Sequence, residues 1–203
     1  MHQAPTIRVA IVYHSGYGHT ARQAEAVAAG ATSAGAKALL VSVADIDAHW
    51  DALEDADAII FGCPTYMGSA SGQFKLFMDA SSQRVFGAQK WKDKLAAGFT
   101  NAASRSGDKL VTLQQLAVFA AQHGMNWINL GLMPGHNSST STEDSLNRHG
   151  YFIGAAAQSD ADTSADAGAT PADLKTSAHL GARVTKAARI MAAGRAALGK
   201  EAA

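Results

Sequence analysis

The 203-residue chain reads as an α/β fold, a doubly wound parallel sheet of five strands with helices on both faces. Three observations carry this. Strand-like and helix-like segments alternate five times, the pattern of right-handed crossovers on a parallel sheet. The strand-like runs are apolar almost throughout, as in strands buried on both faces. The chain shows neither an internal repeat nor a shift of composition, so residues 1–203 are expected to form a single domain.

Ile7 to Tyr13 is β-branched and apolar apart from Arg8, as a central strand should be. His14 to Thr20 is a turn holding Gly16 and Gly18. Ala21 to Ala34 is a helix with Ala24, Val27, Ala28 and Ala31 on one face, stopped by Gly35. Ala38 to Val43 makes the second strand, and Ile46, Trp50 and Leu53 mark a short helical piece. Asp57 to Gly62 is the third strand; a loop with Pro64 and Gly68 leads to a helix over Ser71 to Ser81. Lys94 to Thr100 is the fourth strand, Asn101 to Asp108 a loop, and Leu110 to Gln122 a helix capped by Gly124. Met125 to Leu130 is the last strand. Residues 131–170 follow no period, and about forty structureless residues in a compact domain point to a functional excursion carrying a fragment of strand. Thr170-Pro171-Ala172-Asp173 starts a final helix that runs to about Leu198.

Lysine plus arginine number 17, as do aspartate plus glutamate, giving zero net charge. That balance speaks against nucleic acid, whose binders carry a basic footprint. It also speaks against an acidic electron shuttle that docks on basic partners. The single cysteine, Cys63, excludes an intramolecular disulfide and a CxxC metal site. The eight histidines are scattered, with no helical pair beside a carboxylate, so no metal is expected. The amino-terminal Met-His-Gln-Ala-Pro-Thr lacks the basic and apolar regions of a leader. No apolar run approaches the roughly 18 residues of a membrane span. A cytoplasmic protein without an integral membrane segment is expected.

Ligands of such sheets bind beyond the carboxyl ends of the strands. The loop Ser15-Gly16-Tyr17-Gly18-His19-Thr20 lies there, between a buried strand and a helix start. Its hydroxyls and successive N–H groups can converge on an anion, aided by the helix dipole. It lacks the Gly-Lys-Ser/Thr ending of a Walker loop and the glycine spacing of a dinucleotide fingerprint. A tight turn capped by Ser15 or Thr20 is the alternative reading.

Tyr13 to Thr20 resembles the FMN phosphate loop of the flavodoxin-like superfamily. Phe61 to Lys75, with Gly62-Cys63-Pro64-Thr65, Gly68 and Ser71-Gly72-Gln73, resembles a segment of the WrbA-type NAD(P)H:quinone oxidoreductases, of the NADPH-dependent FMN reductase family. Gln122-His123-Gly124-Met125 resembles that family's His-His-Gly-Met. The resemblance implies a sheet in the order 2-1-3-4-5, FMN as cofactor, and NAD(P)H and a quinone as alternating substrates in a homodimer or homotetramer. By it, Ser15, Tyr17, Gly18, His19 and Thr20 would hold the phosphate. Pro64, Thr65, Tyr66, Met67, Gly68 and Ser69 would wrap one edge and face of the ring, with Thr65 a candidate hydrogen-bond donor. Asn101, Ala102, Ala103, Ser104, Arg105 and Gly107 would line the pyrimidine side, and His123 would stand over the open face near substrate.

The chain departs from the family in three places. The loop after the fourth strand keeps only its last glycine, Gly107, and Arg105 either enters the site or points to solvent. Val43 to Asp57 lacks the family's insertion, and Tyr66-Met67 replaces an arginine-aromatic pair. Cys63 reads as a buried inert thiol. His123 otherwise caps a helix end, and Phe86 and Trp91 either close a pocket across a dimer or, the favoured reading, pack under a loop. His136, His149 and Tyr151 fall in the excursion, within conceivable reach of substrate. Three functions follow: an FMN-dependent NAD(P)H:quinone oxidoreductase, a flavodoxin-type electron carrier, or a flavin-free interaction protein of the same fold. Neutral charge and the absence of an aromatic from 101–107 favour the enzyme.

Overall fold

Strand β1 (Arg8–Tyr13) is the axis of the sheet in the computed structural model, which describes residues 6–201. Met1 to Pro5, most of the stretch read for a leader, lie outside the described residues. β1 pairs in parallel with β2 (Lys37–Ser42) on one side and β3 (Ala58–Tyr66) on the other, so that Val12 stands between Val41 and Phe61. β3 pairs in parallel with β5 (Leu95–Ala102), and a short antiparallel β4 (Ser69–Ala70) folds back on the end of β3. Helices α1 (His19–Ser33), α2 (Trp50–Glu54), α3 (Gly72–Ser81), α4 (Lys109–Gln122), α5 (Ala165–Gly168) and α6 (Pro171–Glu201) complete the chain. The arrangement is the flavodoxin-like 2-1-3-4-5, with the fourth position taken by β5.

Side-chain alternation along buried strands divides the core in two. Ala10, Val12, Ile59, Phe61 and Cys63 face a layer of Trp50, Phe74, Phe77, Trp91 and Phe119. Val9, Ile11, Ile60 and Phe99 face α1 and α6 through Val27, Ala31, Leu180 and Val184. Those two helices cross so closely that a Cβ on Gly30 would lie 1.8 Å from the Ala178 carbonyl oxygen, and one on Gly181 2.0 Å from that of Val27.

The fifth strand differs from the expectation of one run over 125–130. Only β6 (Asn126–Trp127) pairs there, against Leu95 and Ala96 at the amino end of β5. The carboxyl half of β5, Phe99 to Ala102, pairs instead with β7 (Ala155–Gln158). Trp127 explains the break. A Cβ on Gly98 would lie 2.7 Å from its indole, which fills the space beside β5, and its Nε1 donates to the Ile153 carbonyl at 2.8 Å. The chain leaves the sheet beyond Trp127 and returns after the excursion.

β3 and β5 also run past their expected ends, because the parallel register continues through Cys63–Thr100 and Pro64–Asn101. The excursion is tied to the start of α6 by Arg148, whose Nε and Nη2 each donate to one Asp173 oxygen at 2.8 Å.

Candidate functional site

The turn after β1 places Ser15 to Thr20 at the carboxyl edge of the sheet. Gly18, with φ of 88°, is the residue from which α1 starts, and no side chain caps the helix. The first N–H groups of α1 are therefore left for an outside acceptor, and no acidic residue stands in the first turn. The Ser15 hydroxyl is buried without a hydrogen-bond partner. A Cβ on Gly16 would lie 2.5 Å from the Tyr66 hydroxyl, so the loop backbone and the phenol approach as only glycine allows.

A cavity of about 390 Å³ opens here, lined by Ser15, Tyr17, His19, Thr20, Pro64, Thr65, Tyr66, Asn101, Ala102, Ala103, Ser159 and Ala161. It has the size of a small-molecule or cofactor site. No lysine, arginine or carboxylate lines it. An anion held there must rely on backbone N–H groups and hydroxyls. The orphaned Ser15 hydroxyl and the uncapped helix fit the monophosphate of FMN.

Thr65 is committed in a way the sequence does not show. The Thr100 hydroxyl donates to the Cys63 carbonyl at 2.7 Å, so it accepts from Thr65 at 2.9 Å, while the Thr112 hydroxyl donates to Thr65 at 2.8 Å. The Thr65 proton is thus used, and what remains toward the cavity is an acceptor. Its expected role as donor to the ring is corrected accordingly. Burial pushes the neighbouring Cys63 thiol up to about 12, which makes it inert as a nucleophile.

The other expected residues divide by position. Met67 is fully exposed at the tip of the β3–β4 hairpin, and Gly68, with φ of 78°, completes the tip. Ser69 donates to the Gln115 side chain at 3.3 Å. None of the three lines the cavity. Ser104 turns its carbonyl to the Lys109 ammonium at 2.9 Å, Arg105 pairs with Glu143 at 2.7 Å, and Gly107 (φ 55°) forms the turn into α4. Arg105 therefore takes the outward of its two alternatives.

His123 requires the plainest correction. It lies at the far end of α4, 3% exposed, with Nε2 2.9 Å from the Ser81 hydroxyl and its ring 4.7 Å from that of Trp91. α4 starts beside the cavity and runs back along the sheet, so its last turn is at the opposite edge. Burial lowers the His123 pKa. Trp91 packs in the core as expected, and Phe86 stands half exposed beside His123. His149 bonds Asp173, His136 lies 3.5 Å from Glu143, and the Tyr151 hydroxyl donates to the Ser106 carbonyl; none lines the cavity.

Two lining residues, Ser159 and Ala161, come from the excursion without having been singled out. Asn101 Nδ2 donates to the Ser159 hydroxyl at 2.8 Å, and Gln158 Nε2 to the Ala103 carbonyl at 3.0 Å. The strap that follows lies over the loop after β1 and the start of α1: His19 Nε2 donates to the Thr163 carbonyl at 3.0 Å, and Arg22 pairs with Asp166 at 3.2 Å. A Cβ on Gly18 would come within 2.6 Å of Ala165 Cβ. Among the described residues there is no cluster of metal-ligating side chains, and no helix is long and apolar enough to cross a membrane.

Residues 13–138 match the model of a family described as NADPH-dependent FMN reductase. The chain is 44% identical over 187 residues to flavodoxin FldP of Pseudomonas aeruginosa, covering 88% of this chain and 95% of that one. It is 34% identical over 147 residues to an NAD(P)H dehydrogenase (quinone) of Geotalea uraniireducens, covering 61% of this chain and 72% of that one. The crystal structure of a flavodoxin, WrbA-like protein from Agrobacterium tumefaciens superposes with a TM-score of 0.71 at 43% identity, over 91% of this chain and 99% of that one.

Proposed function

We propose, from the premise that this chain belongs to the NADPH-dependent FMN reductase family of flavodoxin-like proteins, that it moves an electron pair from NAD(P)H to a quinone or similar small acceptor in ping-pong order. One observation carries this. Tyr17 and Tyr66 stand together, ring centroids 6.4 Å apart, while the segment Asn101-Ala102-Ala103 offers an amide and two methyl groups but no ring to the cavity. A cofactor seated there keeps a face that a planar substrate can share.

FMN, when bound, supplies reversible two-electron chemistry between a reduced nicotinamide and a quinone. The chain's part is to bind and orient. Ser15, Thr20 and the first N–H groups of α1 hold the phosphate. Pro64 and Tyr66, which line the cavity, would hold the ring, and the Thr65 oxygen would be available to it as an acceptor. Asn101 is held by Ser159, which fixes the wall that substrate meets. Two copies or four would assemble through α3 and α4, where Leu76, Val111 and Val118 lie exposed.

A second reading, electron carriage, draws on the relative that is 44% identical and named a flavodoxin. Anaerobic titration separates the two. The enzyme with FMN should bleach with a stoichiometric amount of NADH or NADPH and recover its colour with benzoquinone. Bleaching by dithionite alone would assign the carrier. Apoprotein that FMN cannot reconstitute would end both readings.

A further inference from the structure

Lys109 opens α4, the helix that follows the wall segment Asn101-Ala102-Ala103, and it is 0% exposed. The ammonium has three donors, yet the acceptor recorded for it is the Ser104 carbonyl at 2.9 Å. Ser104 follows Ala102 and Ala103, the residues that face the cavity. Among the described residues no carboxylate stands within ion-pair distance of it. Asp173, the carboxylate that acts on it from further off, is already filled by the Arg148 fork, His149 and the Gln158 N–H. Asp108, next in sequence, is exposed and screened by water.

The local balance of charge is therefore uneven. Among the buried charges, Lys109 and Arg148 stand against Asp173. A buried cation without its own counter-charge is costly to fold. A site that keeps one is better matched to a state in which an anion arrives. FMN that takes up two electrons and one proton gains one unit of negative charge. We propose that Lys109 is the cation that balances this charge across the Ala102–Ala103 wall and so raises the reduction potential of the bound cofactor. It is a positioning and tuning residue, since its ammonium bonds the Ser104 carbonyl next to the wall and does not line the cavity. Burial pulls its pKa down to about 8, which leaves it protonated near neutral pH.

The inference rests on the FMN reading. Its test compares Lys109→Met, Lys109→Gln and Lys109→Arg by spectroelectrochemical titration of bound FMN and by the affinity of each apoprotein for oxidised FMN. Methionine and glutamine should weaken the reduced form about tenfold relative to the oxidised form, a drop of about 30 mV for a two-electron couple. Oxidised FMN should bind within about twofold of wild type, and arginine should keep the wild-type potential. Loss of an uncompensated buried charge should also make K109M apoprotein more resistant to urea. The inference falls if K109M and K109Q bind FMN at the wild-type potential. It falls as well if K109Q keeps that potential while K109M loses it, because the amide would then be replacing a hydrogen bond and not a charge. Wild-type apoprotein that binds no FMN would remove the earlier reading along with this one.

Discussion

Ser15 carries a buried hydroxyl with nothing to bond in the chain itself, and this gives its substitution two opposite effects. Ser15→Ala should leave the apoprotein as stable or slightly more so, because an unsatisfied buried group costs free energy. The same change should weaken FMN binding about 5- to 30-fold, the loss of one charge-assisted hydrogen bond of about 1–2 kcal/mol. Thr20→Val should act likewise on binding; fluorescence titration of the apoproteins with FMN reads both, and wild-type affinity would move the phosphate elsewhere. Asp173 is a structural counterpart. Burial pushes its carboxyl up, but the Arg148 fork, His149 and the Gln158 N–H outweigh that and hold it at about 2. Its folded pKa lies below the unfolded value near 4, so its contribution is complete above that value and is lost as pH falls toward 2. Asp173→Asn should cost about 3–5 kcal/mol at neutral pH by leaving the buried Arg148 only the half-exposed Glu143 as counter-charge and should flatten the acid limb of stability measured by urea unfolding from pH 7 to 2.5. An unchanged acid limb would contradict the assignment. At this scale the loop Ser15 to Thr20 was legible as a cavity wall because its residues are consecutive. Thr65 was legible as a site residue but not as an acceptor, since its proton is directed by Thr100 and Thr112, far away in sequence.

The helices and strands were legible where packing is periodic and illegible where pairing is non-local. The runs that became β1, β3 and β5 are apolar because they are buried, and apolarity is what sequence displays; in β2 only Val41 is buried. The division of the fifth strand depends on Trp127 filling the space beside Gly98, a contact that no local pattern announces. His123 was misplaced for a different reason. The motif that contains it marks the end of a helix, and a helix that starts at the ligand edge of a parallel sheet must end at the other edge. Direction of travel, available from the alternation alone, excludes it from this chain's cavity. The α1–α6 crossing makes the element-scale prediction. Alanine at position 30 would gain about 1 kcal/mol of helix propensity, but its Cβ would fall 1.8 Å from backbone oxygen of Ala178. That atom cannot yield as a side chain would, so Gly30→Ala should be destabilising by about 1–3 kcal/mol net. Thermal unfolding should show a Tm lowered by several degrees; a raised Tm would mean that the helices separate freely.

Zero net charge belongs to the molecule as a whole, and its consequence is kinetic. Without a strong field to steer an oppositely charged partner, reduction by NAD(P)H should change less than about twofold between 50 and 300 mM salt. Stopped-flow rates at several ionic strengths check this, and a steep salt dependence would point to a charged docking partner instead. The cavity draws its walls from four parts of the chain, three of which were visible in the sequence and one of which, Ser159 and Ala161, comes from the excursion. That geometry has an evolutionary side. Because the fifth sheet position is filled by β6 at one edge and β7 at the other, the chain between them can lengthen, shorten or be exchanged without altering the register of either pairing. The phosphate loop, on the far side of the site, would not register the change. The sheet thus contains its own seam, a place where a segment that lines none of the cavity can be rebuilt while both strand pairings stay as they are.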